Sequence, residues 1–194
     1  MKIRSCFVSN SSSSSFIVCG DRYAPKWVDN AERNLKSYIR RYIDKNVFRY
    51  NPHSQFGWEF EVYNDWMSKF DWAFLQMYYH AYDHEYTYYY DTMLDFLKEY
   101  FPEIEKIELK RFSDAEYEEF EEVDETYFDD EPYGYIDHQS IGGYNAEILE
   151  DVETLKHFIL TEDSFICGQN DNSDYSWKIV DGKPVKSKYE GQWG

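Results

Sequence analysis

Apolar and polar positions follow two rhythms along this chain, and each predicts an element. Cys6-Phe7-Val8 and Phe16-Ile17-Val18-Cys19 are short runs of β-branched and aromatic residues, which suit strands. Ser9, Asn10 and Ser11 to Ser15 form a polar connection between them. From Pro25 to about Asn46, Val28, Ala31, Leu35, Ile39, Tyr42 and Ile43 recur at helical spacing, with Arg33, Lys36, Arg40, Arg41 and Lys45 broadly opposite. Trp58 to Tyr63 alternates apolar and acidic, the pattern of a half-buried strand. Asn64 or Asp65 then caps a helix to about His80 or beyond, with Trp66, Phe70, Ala73, Phe74, Met77 and Ala81 on one face. Asp91 to Tyr100 predicts a further helix, ended by Pro102.

In the second half, Ile104 to Phe112 alternates as a strand. Ser113-Asp114-Ala115-Glu116 has the capping-box pattern and predicts a short acidic helix through about Glu122. Tyr133 to Ile136 predicts a strand, Glu147 to Leu160 a helix, and Ser164 to Gly168 a strand whose text echoes Ser15 to Gly20. Those two echoing segments read as central buried strands and as candidates for pairing. Trp177 to Val180 is a last strand, with Asp181-Gly182 a hairpin turn. Irregular alternation of helices and strands predicts an α+β fold: one domain over residues 1–190, a mixed or antiparallel sheet with helices packed on it. An acidic segment, 113–131, lies within the domain, and 186–194 reads as a loose tail.

Composition narrows the class. At 194 residues, 21% of them aromatic, the chain has the material for one real core and does not read as disordered. Three cysteines (Cys6, Cys19, Cys167), widely spaced and without a CxxC pair, read as buried thiols of a reducing compartment. No apolar run approaches the length of a membrane span, and Lys2 and Arg4 are not followed by a leader-like stretch. The expected location is the cytoplasm.

Charge changes the picture most. The net charge is −18, unevenly spread: residues 1–50 carry ten Lys/Arg and four Asp/Glu, residues 51–194 ten and 34. Between Asp114 and Glu131 stand eleven carboxylates in eighteen residues, with no Lys or Arg. Such a chain is repelled by nucleic acid and anionic membranes and attracted to basic protein surfaces, so neither direct nucleic-acid binding nor membrane binding is expected. The bland alternative is a solvated acidic loop. The basic face of the 25–46 helix serves best internally, against the acidic half of the same fold, or against a partner protein.

Candidate chemistry is sparse. Amides and hydroxyls of Ser11, Ser12 and Ser13 could cradle an anion, although the glycine that lets a phosphate approach is missing. His80 and His84 have the i, i+4 spacing of two metal ligands, but both fall on the apolar stripe and no third ligand is fixed. Tyrosines from Tyr78 to Tyr90, Tyr86 and Tyr88 among them, are core edge, interface anchors or stacking platforms. Asp137-His138-Gln139-Ser140 follows a predicted strand; if there is an active site, His138 is its first candidate base, with Asp137 or Asp174 orienting it. The bland alternative is a hydrogen-bonded turn. A glycine-rich phosphate loop, a nucleophile elbow, an HExxH pair and a paired-cysteine metal site are all missing from the sequence, so no cofactor is expected.

The run K-I-R-x-x-F-V-S-N-S-S-S-S-S-F-I-V resembles the N-terminus of a set of bacteriophage and mobile-element proteins, some of which share a later D-H-Q-S segment, here Asp137 to Ser140. Many of them have Gly where this chain has Cys6. The resemblance covers under a fifth of the chain. It implies a phage-like origin and transfers no catalytic residue. Together with the charge it predicts an accessory protein that blocks a basic site on a host protein, such as a nucleic-acid-binding defence factor. Glu116, Glu118, Glu119, Glu121, Glu122, Asp124, Glu125, Asp129 and Asp130, with Tyr86 and Tyr88, would form the contact surface. The alternatives are a protein or enzyme for a nucleotide-like ligand, using the tyrosines and His138, and a structural or assembly protein of the virion.

Overall fold

The structure, a computed structural model, describes residues 13–20, 23–57, 60–82, 87–108, 134–136, 147–170 and 175–188. In chain order the elements are β1 (Ser13–Val18), α1 (Ala31–Ile39), a 3-10 turn (Arg40–Tyr42), β2 (Ile43–Asp44), β3 (Val47–Arg49), β4 (Gln55–Phe56) and β5 (Val62–Tyr63). Then come α2 (Trp66–Tyr82), α3 (Thr87–Tyr100), β6 (Lys106–Glu108), β7 (Tyr135–Ile136), α4 (Val152–Leu160), β8 (Phe165–Asn170), β9 (Tyr175–Val180) and β10 (Lys183–Lys188). This is a single-domain α+β fold, with helices packed beside several small antiparallel and mixed sheets.

The echoing segments pair. β8 lies at the centre of a three-stranded sheet, with β1 antiparallel on one side and β5 antiparallel on the other. The register sets Phe16 opposite Cys167 and Ile17 opposite Ile166. Three serines also belong to β1: Ser13, Ser14 and Ser15 pair with Asn170, Gln169 and Gly168. The serine run therefore does not remain a connection throughout. Extending the backbone ladder along β8 outweighs the weak strand preference of serine.

Several boundaries move for identifiable reasons. The helix expected from Pro25 is confined to Ala31–Ile39. Before it, Val28 N donates to Leu160 O at 2.9 Å and Glu162 N to Lys26 O at 2.7 Å, which hold that segment extended. Asn30 enters the helix left-handed at φ 62°, a conformation Asn tolerates. After the 3-10 turn, β-branched Ile43 and Val47 form a tight hairpin, with Lys45 at φ 59° in its bend. Asp65 caps α2, its Oδ1 accepting from Ser68 N at 2.9 Å. Asp151 caps α4 through Thr154 N at 2.7 Å, which is why that helix starts at Val152 and not Glu147. α3 begins at Thr87, so Tyr88 to Tyr90 are helical. The tail is also shorter than expected. Lys186 to Lys188 belong to β10, joined to β9 across Asp181 (φ 51°) and Gly182 (φ 74°), the positive φ pair of a type I′ turn.

The core is built around α2. Every residue from Lys69 to Tyr78 is buried, so this helix is enclosed on all sides and has no solvent stripe over that span. Tyr50 lies amid an aromatic cluster, its ring centroid 4.7 Å from Tyr42, 5.0 Å from Phe74 and 5.2 Å from Phe70. Such edge and tilted pairs add to the burial of the rings themselves. Of the expected basic face, Arg40 meets an acidic residue of the same fold, as do Arg49 and Lys156 elsewhere. Arg40 pairs with Glu103 at 3.2 Å, Arg49 with Glu108 at 2.8 Å and with Asp44, and Lys156 with Glu99 at 3.0 Å.

Candidate functional site

Enclosing α2 forces its polar residues inside, and they organise the loop that receives Tyr135-Ile136. Asp71 is buried and collects donors. Oδ1 accepts from the Tyr50 hydroxyl; Oδ2 accepts from Ser54 Oγ at 2.6 Å, Ser54 N at 2.9 Å and His53 N at 3.2 Å. Tyr50 Oη is also 2.9 Å from Tyr38 Oη, so a phenol chain runs outward from the carboxylate. Burial, followed for Tyr50 by the Asp71 charge, pushes both phenols well above the usual tyrosine range, so neither is an acid near neutrality.

This carboxylate fixes the loop from Tyr50 to Gln55. The loop in turn receives β7. Gly134 N donates to Pro52 O at 2.6 Å, and Gln55-Phe56 run parallel to Tyr135-Ile136 with Phe56 opposite Ile136. A Cβ on Gly134 would lie 2.6 Å from Ser54 O and 2.8 Å from Pro52 C, both backbone atoms that cannot swing aside. Gly134→Ala is therefore expected to lower stability by about 2 kcal/mol, read as a lower urea midpoint. An unchanged midpoint would mean the loop does not seat β7.

Asp137-His138-Gln139-Ser140 follow Ile136 directly in the chain, but Asp137 and His138 lie outside the described residues. So do the acidic positions Glu116, Glu118, Glu119, Glu121, Glu122, Asp124, Glu125, Asp129 and Asp130, together with Tyr86, Ser11, Ser12 and His84. His80 falls on the α2 backbone, with its side chain undescribed. Ser13 sits in β1, opposite Asn170. Tyr88 is 45% exposed on α3, its ring 4.0 Å from Tyr89, a placement open to contact from outside. Among the described residues no group of three His, Cys, Asp or Glu could hold a metal ion, and no helix is long and apolar enough to cross a membrane.

A second polar cluster was not foreseen. Lys69 is fully buried, and its Nζ donates to Thr161 O at 2.6 Å and Ser164 O at 3.2 Å, tying α2 to the turn between α4 and β8. Thr161 Oγ1 contacts Ser164 Oγ at 2.9 Å, and Gly20 N donates to the same Ser164 Oγ at 3.2 Å, so the end of β1 joins the cluster. Burial pushes the Lys69 amine down to about 8, against the pull of Asp65, Asp163 and Cys19. With no solvent access, this amine is a clamp. Among the described residues its helix neighbours Trp72 and Gln76 leave Nε1, Nε2 and Oε1 buried without a hydrogen-bond partner. The sequence signal for all these residues was the near-continuous apolar run of α2: a helix apolar all round encloses whatever polar side chains it carries. Cys167 is likewise buried, its thiol pushed up to about 12 by burial, which makes it an inert core residue.

No protein-family model, no curated protein and no solved structure matches this chain.

Proposed function

We propose that this is an accessory protein of phage-like origin that binds and blocks a basic surface on a host protein, its carboxylates standing in for the phosphates of a nucleic acid. The observation that carries the reading is a mismatch of charge. Arg40, Arg49 and Lys156 are matched by acidic residues of their own fold, whereas Asp114 to Glu131 offers eleven carboxylates with no Lys or Arg among them. Repulsion among those carboxylates is relieved when a basic surface meets them. Tyr88 supplies an exposed ring on α3 of the kind that anchors interfaces. The opening sequence resemblance supplies the phage context, and it carries no mechanism.

The experiment is capture from host lysate on the immobilised full chain at about 50 mM and about 500 mM salt, with mass spectrometry of the eluates. A specific basic protein is expected at low salt and lost at high salt. Changing Glu118, Glu119, Glu121 and Glu122 together to Gln is expected to weaken its binding about tenfold or more. Capture that survives both high salt and neutralisation sinks the mimicry reading.

A further inference from the structure

The β9–β10 ribbon breaks the charge pattern of the chain. Residues 175–188 contain four lysines, Lys178, Lys183, Lys186 and Lys188, and a single carboxylate, Asp181. Among the described residues none of these lysines has an acidic partner, in contrast with Arg40, Arg49 and Lys156. Strand alternation puts Tyr175, Trp177, Lys186 and Lys188 on one face of the ribbon. The Phe60 ring stacks on Trp177 at 4.3 Å and 17°. The Lys186 ammonium stands 4.6 Å from the Phe60 centroid and 4.2 Å from that of Tyr175. Trp177 is held from below by Nε1–H donating to Gly168 O at 2.8 Å. The result is a pair of stacked rings, a cation set against Phe60 and Tyr175, and a Tyr175 ring that is 40% exposed.

We propose that this face of the ribbon binds single-stranded nucleic acid. Lysines along a ribbon attract a phosphate backbone, and an exposed aromatic ring offers a surface on which an unpaired base stacks. Lys186 and Lys188 are two positions apart on one strand, so they stand about 6–7 Å from each other, a spacing that follows an extended backbone. An acidic peptide would meet the lysines equally well but has no flat π-face to set against Tyr175, which is why the rings favour nucleic acid. The chain's net charge of −18 opposes association from a distance. At contact, in about 0.15 M salt, fields are screened over about 8 Å, and the ribbon's own lysines dominate. The surface is independent of the acidic one proposed above. A simpler reading gives Pro184 and the lysines of β10 the task of guarding a strand edge against aggregation.

Fluorescence anisotropy with a labelled oligothymidylate of about twelve nucleotides, on the full chain at about 50 mM salt, separates these readings. The expected result is saturable binding that weakens as salt rises. Changing Lys186 and Lys188 to Gln should reduce affinity about tenfold or more, and Tyr175→Ala about fivefold or more, whereas Tyr175→Phe should retain it. Thermal melting is measured in parallel, and the Tyr175→Phe arm keeps the comparison meaningful if the alanine variant melts early. Absence of binding at low salt overturns the proposal. So does a polyglutamate peptide that competes as well as the oligonucleotide while Tyr175→Ala has no effect, which would assign the ribbon to acidic protein. Lysine variants that self-associate with affinity unchanged would assign the lysines to edge protection and likewise overturn it.

Discussion

Asp71→Ala should cost about 3–5 kcal/mol of folding stability, a large part of what a domain of this size has. The carboxylate accepts from Tyr50, Ser54 Oγ, Ser54 N and His53 N, so truncation leaves several donors in a dry interior without a partner. Asp71→Asn keeps the volume but turns an amide NH₂ toward groups that are themselves donors, and should recover only part of the loss. Urea unfolding followed by tryptophan fluorescence measures both, with an unchanged slope showing that stability alone has moved. A loss below about 1 kcal/mol for the alanine variant would mean that water replaces the carboxylate and that the loop is not anchored there.

Lys69 should make stability depend on pH in the direction opposite to the buried tyrosines. Its amine titrates near 10.5 in an unfolded chain and near 8 in the fold, so between those values the unfolded state binds more protons. Stability from this group therefore rises as pH goes from about 8 to 10.5, by about 3 kcal/mol in all, and is lost again as pH falls through 8. Tyr38, Tyr50 and Tyr100 act the other way. Burial raises all three in the folded state, so stability falls once pH passes 10. Comparison with Lys69→Met cancels the tyrosines and isolates the lysine. The wild type should gain on the variant by about 2 kcal/mol between pH 7.5 and pH 10, read from urea midpoints. A difference that stays flat across that window would show that the ammonium is not paying a desolvation cost in the fold.

The fold class, and the pairing of the two echoing strands, were legible because their signals are local and repeated. Phe16-Ile17-Val18 and Phe165-Ile166-Cys167 are short β-branched and aromatic runs, and such runs seek the middle of a sheet. The turn at Asp181-Gly182 was legible for the same reason. The end of α1 was not, because helical spacing continues through Tyr42 and Ile43 while a left-handed Lys45 and the partner strand β6 draw Val47 to Arg49 into a sheet. Lys69 and Asp71 carried no signal of their own, since a charge inside a helix normally marks its outer face. Only the packing of Thr161, Ser164, Tyr50 and Ser54 around α2 reveals what satisfies them. The lysines of the ribbon were hidden by the average: a net of −18 conceals a local excess of positive charge.

The pairing of β1 with β8 governs when the chain finishes folding. Gly20 and Ser164 bond across 144 positions of sequence, so the central sheet gains its edge strand only after the chain through β8 has left the ribosome. Closing a loop of that length costs entropy before any contact is made, and long-range pairings of this kind slow folding. During synthesis, at about 5–20 residues per second, Phe16 to Cys19 wait for a partner for several seconds or more. The serines on their N-terminal side carry no apolar surface and keep the waiting strand from being a long sticky one, a role in biogenesis that the finished fold would not reveal.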